Sequence, residues 1–421
     1  MAATNTRTSL NSLFKEVYGN YHMLLPEGFR VQTDMPFRTS KKLGDVFVEN
    51  VLLAHEHGVT YAGASDDSVT MITAEAGQTR GARIQGTQII IRSRIGYNAA
   101  SSATGGEESF RRAFDVVVEN MTLSGRKRLE IDCLYGQDEL ATIEGTASTS
   151  VITINDAEWA PGLWAGMEGA KLEIYSAAGT DARGTAVSPA EGAIYTISSV
   201  DLAARTVTLT GTVDFSADGI IAGDRIFFRS QRTESTENSM KGIHAILGTE
   251  TGNLFDVPVD GYSLWSPSQH STSGTLSYSD VGKAVVQVIS KGLDEGLCLY
   301  INPSTWADLA DAEATRISHD QQMKGGQVDV GADGIKFYSQ NGGIVIKSSI
   351  YVKEGYGYMI PPSYWERIGA TDLTFSVMGE ESGYFLWVQD ETSYELRQYS
   401  NQAIFSSQPG KGALITGIVN A

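Results

Sequence analysis

The residues that most invite a chemical reading close the chain, in YSNQAIFSSQPGKGALITGIVNA (399–421), where Gly410-Lys411 stands in a Gly-rich turn. A phosphate-binding loop needs Gly, four spacers and then Gly-Lys-Ser/Thr, so that successive backbone N–H groups and a hydroxyl reach phosphate and Mg²⁺. Here Phe405 holds the place of the first Gly, and Lys411 is followed by Gly412. The dinucleotide pattern fails too, because the third Gly falls on Ile415. What remains is Ala403-Ile404-Phe405, a Pro409-Gly410 turn, and the apolar stretches Ala413 to Ile415 and Ile418-Val419, a pattern of two short strands around a turn.

Other candidate constellations are equally incomplete. His55-Glu56-His57 places two imidazoles on one side of a strand, where a metal needs three or four ligands, so it reads as a solvated strand edge. Asp329, Asp333 and Gly334 have some of the spacing of a calcium loop, but Gly331 and Gln340 stand where oxygen ligands belong. There is no Gly-x-Ser-x-Gly elbow and no local Cys-His signature. Asp294-Glu295 are adjacent, which fixes no carboxyl separation for glycoside hydrolysis. Trp265, Trp306, Trp365 and Trp387 are scattered, as core or interface tryptophans are. Arg126-Lys127-Arg128 is a small basic cluster that either meets DNA or forms a solvated, ion-paired helix face. No catalytic residue, metal or cofactor is expected.

Composition narrows the classes further. A chain of 421 residues can bury a large core, and its 45 glycines give the turn-rich texture of an α+β or mostly β protein. The net charge of −18 disfavours a protein whose main work is gripping nucleic acid, since that affinity rests on Lys and Arg. Cys133 and Cys298 are far apart in apolar company, so buried thiols are expected rather than a disulfide. No apolar run approaches the ~20 residues of a membrane span, and MAATNTRTS is not a signal peptide.

The elements that must position any site follow from periodicity. Leu10, Leu13, Phe14 and Val17 form a helical stripe in an N-terminal arm. Tyr61 to Ile95 reads as a long two-stranded excursion. Phe110, Phe114, Val117, Val118 and Met121 then mark a long helix behind Glu107-Glu108, continuing to Leu134 over about 28 residues, or roughly 40 Å. From 142 to 230 only strands are predicted, at Ile152/Ile154, Leu172/Ile174, Tyr195/Ile197, Val207/Leu209 and Ile226/Phe228, forming a small β-barrel or sandwich. That block carries 11 acidic against 5 basic residues. Beyond it come a helix over Val281 to Ile289, a strand Leu297 to Ile301, and a helix opened by Asn302-Pro303-Ser304-Thr305. A Gly-rich loop at 324–334 precedes strands at Ile344 to Ile346, Ile350 to Val352, Leu373 to Val377 and Tyr384 to Val388.

The order of these pieces resembles the major capsid proteins of tailed bacteriophages with the Hong Kong 97 capsid fold. The likeness is carried by LFKEVYG in the arm, the helix around Phe110 to Met121, MKGIHAILGTETGNLFDVPVDGYSLW (Met240 to Trp265), LCLYINPSTWADL (Leu297 to Leu309) and YELRQYSNQAIFSSQPGKGALITGIV near the end. It implies an α+β fold with an N-terminal arm and lead-in (1–58), an extended β-hairpin loop (59–100) and a peripheral domain with a long spine helix (101–141). An inserted small β-barrel or sandwich follows (142–230), then a peripheral return and linker (231–269), an axial domain (270–370) and peripheral closing strands (371–421).

The resemblance further implies a subunit that self-assembles into pentamers and hexamers of an icosahedral head enclosing double-stranded DNA, located in the virion and assembled in the bacterial host cytoplasm. Its implied partners are other copies of itself, a portal protein, a separate scaffolding protein, a decoration protein and, by weak non-specific contact, packaged DNA. Arg126, Lys127 and Arg128 become candidate inner-surface DNA contacts. Within the loop, Gln78 to Ile95 carries Arg80, Arg83, Arg92 and Arg94 with no acid, a basic strand suited to an acidic neighbouring copy. Tyr61 to Ile95 holds no Lys, so the Lys-Asn cross-link of the covalent-chainmail relatives is not expected. The barrel is expected to face outward. An encapsulin-like nanocompartment subunit is the alternative within the fold, and a carbohydrate-binding or hydrolytic enzyme the alternative outside it.

Overall fold

A computed structural model describes residues 28–39, 46–96, 107–148, 150–184, 193–314, 335–339, 342–375, 385–388 and 391–420. The arm helix, the Asp329/Asp333 loop and the 324–334 glycines lie outside these residues. The described chain opens with one helical turn, α1 (Arg30–Asp34), and a short strand, β1 (Phe37–Thr39). A hairpin follows, β2 (Phe47–Ala54) against β3 (Gln78–Ile84), joined by 55–77 without regular structure. After β4 (Thr87–Gly96) comes α2 (Glu107–Tyr135), a single helix of 29 residues. Its apolar stripe does what the spacing predicts: Val117 and Met121 pack on Ile95 of β4, and Leu129, Leu134 and Tyr135 reach the main core.

Strands β5 (Ala141–Ser148), β6 (Val151–Ile154), β7 (Lys171–Tyr175), β8 (Tyr195–Asp201), β9 (Thr206–Leu209) and β10 (Arg225–Phe228), with a helical turn α3 (Pro161–Trp164) between β6 and β7, follow. They close into a barrel in the order β10-β5-β6-β9-β8-β7. Every alternating pair predicted between 142 and 230 falls in one of these strands; burial alternates along β6, β9 and the start of β8, whereas β7 and β10 are buried on both faces. The barrel is not self-contained, however. Ile152, Ile154, Trp159, Trp164 and Ile174 belong to the same apolar cluster as Tyr300, Tyr351, Tyr358 and Phe405 of the body.

The body comprises α4 (Ile243–Gly248), β11 (Asn253–Leu254), β12 (Val257–Pro258), β13 (Ser268–Gly274), α5 (Tyr278–Ile289), β14 (Leu297–Ile301), α6 (Pro303–Ala314), β15 (Ile335–Ser339) and β16 (Gly342–Ser348). It ends with β17 (Tyr356–Ile360), β18 (Trp365–Thr374), β19 (Phe385–Trp387), β20 (Ser393–Ser406) and β21 (Ala413–Ile418). Both predicted helices start at caps: Ser277 Oγ accepts from the Asp280 N–H of α5, and Asn302 Oδ1 accepts from the Ser304 N–H of α6.

Apart from β11 and β12, which pair only with each other, two sheets organise these strands. One has the order β13-β21-β17-β14-β16-β15; in the other, β1-β18-β20-β19 is joined by β4, which also pairs with β20. Three expectations are corrected here. First, Ile350 to Val352 forms a turn rather than a strand, because its backbone serves the barrel and α2: the Gly162 N–H donates to Ile350 O at 2.9 Å, and Tyr135 Oη, at the end of α2, donates to Tyr351 O at 3.1 Å. Second, the two C-terminal strands do not share a sheet. β20 runs along β18 and β4, whereas the turn at Pro409–Lys411 carries β21 into the other sheet between β13 and β17. Third, β4 leaves the excursion and pairs with β20 over ten residues, Thr87 to Gly96.

A candidate assembly surface on the projecting hairpin

The β2–β3 hairpin is a sheet of its own, fixed at one end and bare at the other. Phe47, Ala82 and Ile84 are buried in the main core. At the tip, Tyr61 is 92% exposed, Met71 85% and Ile72 53%, and Leu52 on β2 is 67% exposed. A lone two-stranded hairpin is marginal in water, so this one depends on its root for stability. A cluster of large apolar side chains left in water on such an extension is the composition of a contact surface rather than of a free loop. Composition obscured it in the sequence, because Tyr61, Met71 and Ile72 are spread through a polar Gly/Asp/Ser-rich stretch with no period.

The four arginines singled out in the sequence are divided by this geometry. Arg80 and Arg83 lie on β3, exposed, and face the segment on either side of β12: Arg80 Nε donates to Tyr262 Oη at 3.4 Å, and Arg83 pairs with Asp256 at 3.7 Å. Arg92 and Arg94 lie on β4, inside the body sheet. Arg94 donates to Glu395 at 2.9 Å and to Glu391 at 2.8 Å within its own chain, so it is not a free cation for a neighbour. Burial alone would raise the Glu395 carboxyl, yet the guanidinium groups of Arg397 and Arg94 outweigh it and hold the carboxyl below its ordinary range. Arg92 is exposed and stands opposite Arg397 in the ladder.

The basic cluster on α2 is likewise divided, because the last turns of the helix are enclosed by the barrel. Lys127 is buried and its Nζ donates to Ala165 O beside α3. Burial pulls its pKa down to about 8. The Arg128 guanidinium stacks on the Phe228 ring of β10, 3.3 Å from its centroid. Neither side chain is available to DNA. Arg126 alone is exposed, at a groove also lined by Phe29, Gln32, Arg367 and Asp372. One turn on, Glu130 is buried and accepts the Val31 and Gln32 N–H groups of α1 at 2.9 and 2.8 Å, fixing α1 to the helix. Desolvation pushes its carboxyl up to about 7.

The remaining candidates are structural. His55, Glu56 and His57 lie exposed in the coil after β2 rather than on a strand. Among the described residues no group of three or more His, Cys, Asp or Glu could hold a metal ion. Trp265 and Trp365 are buried, Trp306 is partly buried against the α5 cluster, and Glu295 is engaged with Ser363. The Trp387 side chain lies outside the described residues. Cys133 and Cys298 are buried free thiols. Among the described residues no helix is long and apolar enough to cross a membrane.

No family model matches the chain, and no curated protein matches it in sequence. Solved structures do. The chain is similar to the cyanophage A-1(L) capsid asymmetric unit, with a TM-score of 0.54 and 10% identity over 95% of each chain. It is also similar to the capsid of cyanophage P-SCSP1u, with a TM-score of 0.49 and 10% identity over 98% of this chain and 95% of that one. A third likeness is to the holo-SrpI encapsulin complex of Synechococcus elongatus, with a TM-score of 0.41 and 7% identity over 99% of this chain and 96% of that one. Taken with the α+β architecture above, the first of these shows that the chain shares, along nearly its whole length, the fold of a phage capsid protein.

Proposed function

We propose that the chain is a major capsid protein, a shell subunit whose copies form pentamers and hexamers and tile an icosahedral head around double-stranded DNA. The fold shared with the cyanophage A-1(L) capsid chain over 95% of both chains carries this reading. In the Hong Kong 97 layout, α2 and the sheet of β1, β18, β20, β19 and β4 form the peripheral domain, and the sheet from β13 to β15 with α5 and α6 forms the axial domain. The β2–β3 hairpin is the extended loop and β5 to β10 the inserted barrel. A shell needs repeated contacts in closed symmetry, and no catalytic residue.

The hairpin lays Tyr61, Met71 and Ile72 on a neighbouring copy, with Arg80 and Arg83 beside them. Arg126 is the one member of the basic triplet left to touch DNA. A portal protein, a separate scaffolding protein and a decoration protein seated on the acidic barrel complete the assembly, in the virion and before that in the host cytoplasm. The test is electron microscopy of particles from cells making the chain, with nucleic acid measured in the same fraction. Shells that take up DNA support the reading, whereas shells loaded with protein cargo would move it to a nanocompartment.

A further inference from the structure

Between β11 and β12 the chain turns through Phe255 and Asp256, which have φ of 53° and 65°. Two successive positive φ values are those of a type I′ turn, a place for Asn-Gly. A phenylalanine there is an outlier held by its surroundings. The Phe255 ring is 9% exposed and meets Phe405 of β20 edge-on, with centroids 5.4 Å apart. The backbone of the same turn faces the hairpin: Phe255 O accepts the Arg83 N–H at 2.8 Å. A few residues on, Tyr262 Oη donates to Gln78 Oε1 at 2.7 Å and accepts from Arg80. Hence β3 is tied to the body at Gln78, Arg80 and Arg83 by one segment, 255–262, which is anchored in the core by the Phe255 ring at the turn itself and by Val257 and Val259 behind it.

We propose that the Phe255–Asp256 turn is a clasp that sets the angle of the β2–β3 hairpin against the body. Val257 and Val259 seat the segment in the core, the ring fixes the turn itself against Phe405, the turn's carbonyl holds β3, and the exposed tip is thereby aimed. The consequence for assembly rests on the shell reading above; the clasp itself is a property of the single chain. Relaxing the strain and removing the ring are separable, because Asn-Gly suits the same turn without filling the site beside Phe405.

The experiment measures tip-to-body distance by pulsed electron resonance between nitroxides on Ser65→Cys and, on the exposed side of α5, Gln287→Cys in the isolated subunit, where Cys133 and Cys298 are buried. The parent chain is expected to give one narrow distance. Asp256→Gly, which keeps the ring and the carbonyl, should leave it unchanged. Phe255→Asn with Asp256→Gly should broaden the distribution at least twofold. An unchanged width in a folded double variant would overturn the clasp. Amide exchange of the parent chain gives an independent reading: Arg83 should be protected at least tenfold more than the tip amides at 61–72, and an unprotected Arg83 amide would overturn the proposal even if the double variant failed to fold. A parent chain that gives the expected distances and protection but forms no shells would count against the shell reading and leave the clasp intact.

Discussion

Charge pairing inside the chain decides what each ionisable residue can do for a partner. Because Arg94 is engaged with Glu395, which is 1% exposed, Arg94→Glu should destabilise the subunit by about 3–5 kcal/mol, the scale for breaking a buried pair. Arg92 faces Arg397 across the ladder, and like charges directly opposite are unfavourable. Arg92→Glu should therefore be neutral or stabilising by up to ~1 kcal/mol, and urea unfolding of the two variants compares them directly. The four arginines were legible in the sequence as a basic run, but not their division between hairpin and sheet. That division depends on β4 pairing with a strand some 300 residues away, a long-range contact that no local pattern records.

Glu130 gives a pH dependence of definite sign. Its carboxyl lies near 7 when folded against an ordinary 4.5, and burial raises Asp132 to about 6 and Asp138 to about 7 in the same way. Folding takes up protons at these groups. Their contribution is full below the ordinary carboxylate range and is lost as pH rises through about 6 to 7. His244, held neutral by burial with its pKa near 3, acts in the opposite direction below its ordinary 6.5. With more carboxylates than imidazoles in this set, the subunit should unfold at lower urea at pH 8 than at pH 6. Glu130→Gln should shrink that difference by ~1 kcal/mol, the share of one group titrating near 7. An unchanged difference would mean that Glu130 is ionised throughout.

At the scale of elements, the C-terminal end of α2 is the point through which hairpin, barrel and body are joined. There Gly136 passes the segment before α4 so closely that a Cβ would stand 2.0 Å from Met240 O, and the Gly242 N–H donates to Gly136 O at 2.8 Å. Gly136→Ala should cost about 1–3 kcal/mol, as overpacking against backbone does, and calorimetry would register it as a lower Tm. The helix was legible because its stripe repeats over many turns, and the barrel strands because each alternates. Other strands were not, and β13 and β17 show why. β13 reads SQHSTSG and has no apolar pattern, since it forms the parallel edge beside β21, while β17, YGYMI, is buried on both faces and shows no alternation.

For the whole molecule, the shared core makes the barrel a brace and not an appendage. The loop at 156–164 docks on the 350–355 turn through backbone bonds, with the Gly355 N–H donating to Ala157 O at 2.7 Å and the Glu354 N–H to Trp159 O at 2.9 Å. Lys353, buried, donates to Glu139 O at 3.0 Å beside the Tyr135 ring. Barrel and body should accordingly melt in a single calorimetric transition; two resolved transitions would show an independent insert. Five of the six barrel strands were readable and β5 was not, and neither was their closure, because closure is a property of register and not of composition.

The central claim, that this chain builds shells, is tested most directly by electron microscopy of the purified chain over a range of concentrations. The account predicts polyhedral particles or aberrant shells made of fivefold and sixfold rings, with each hairpin tip lying on a neighbouring copy. A chain that stays a dispersed monomer at every concentration, its Tyr61, Met71 and Ile72 still in water, would contradict it.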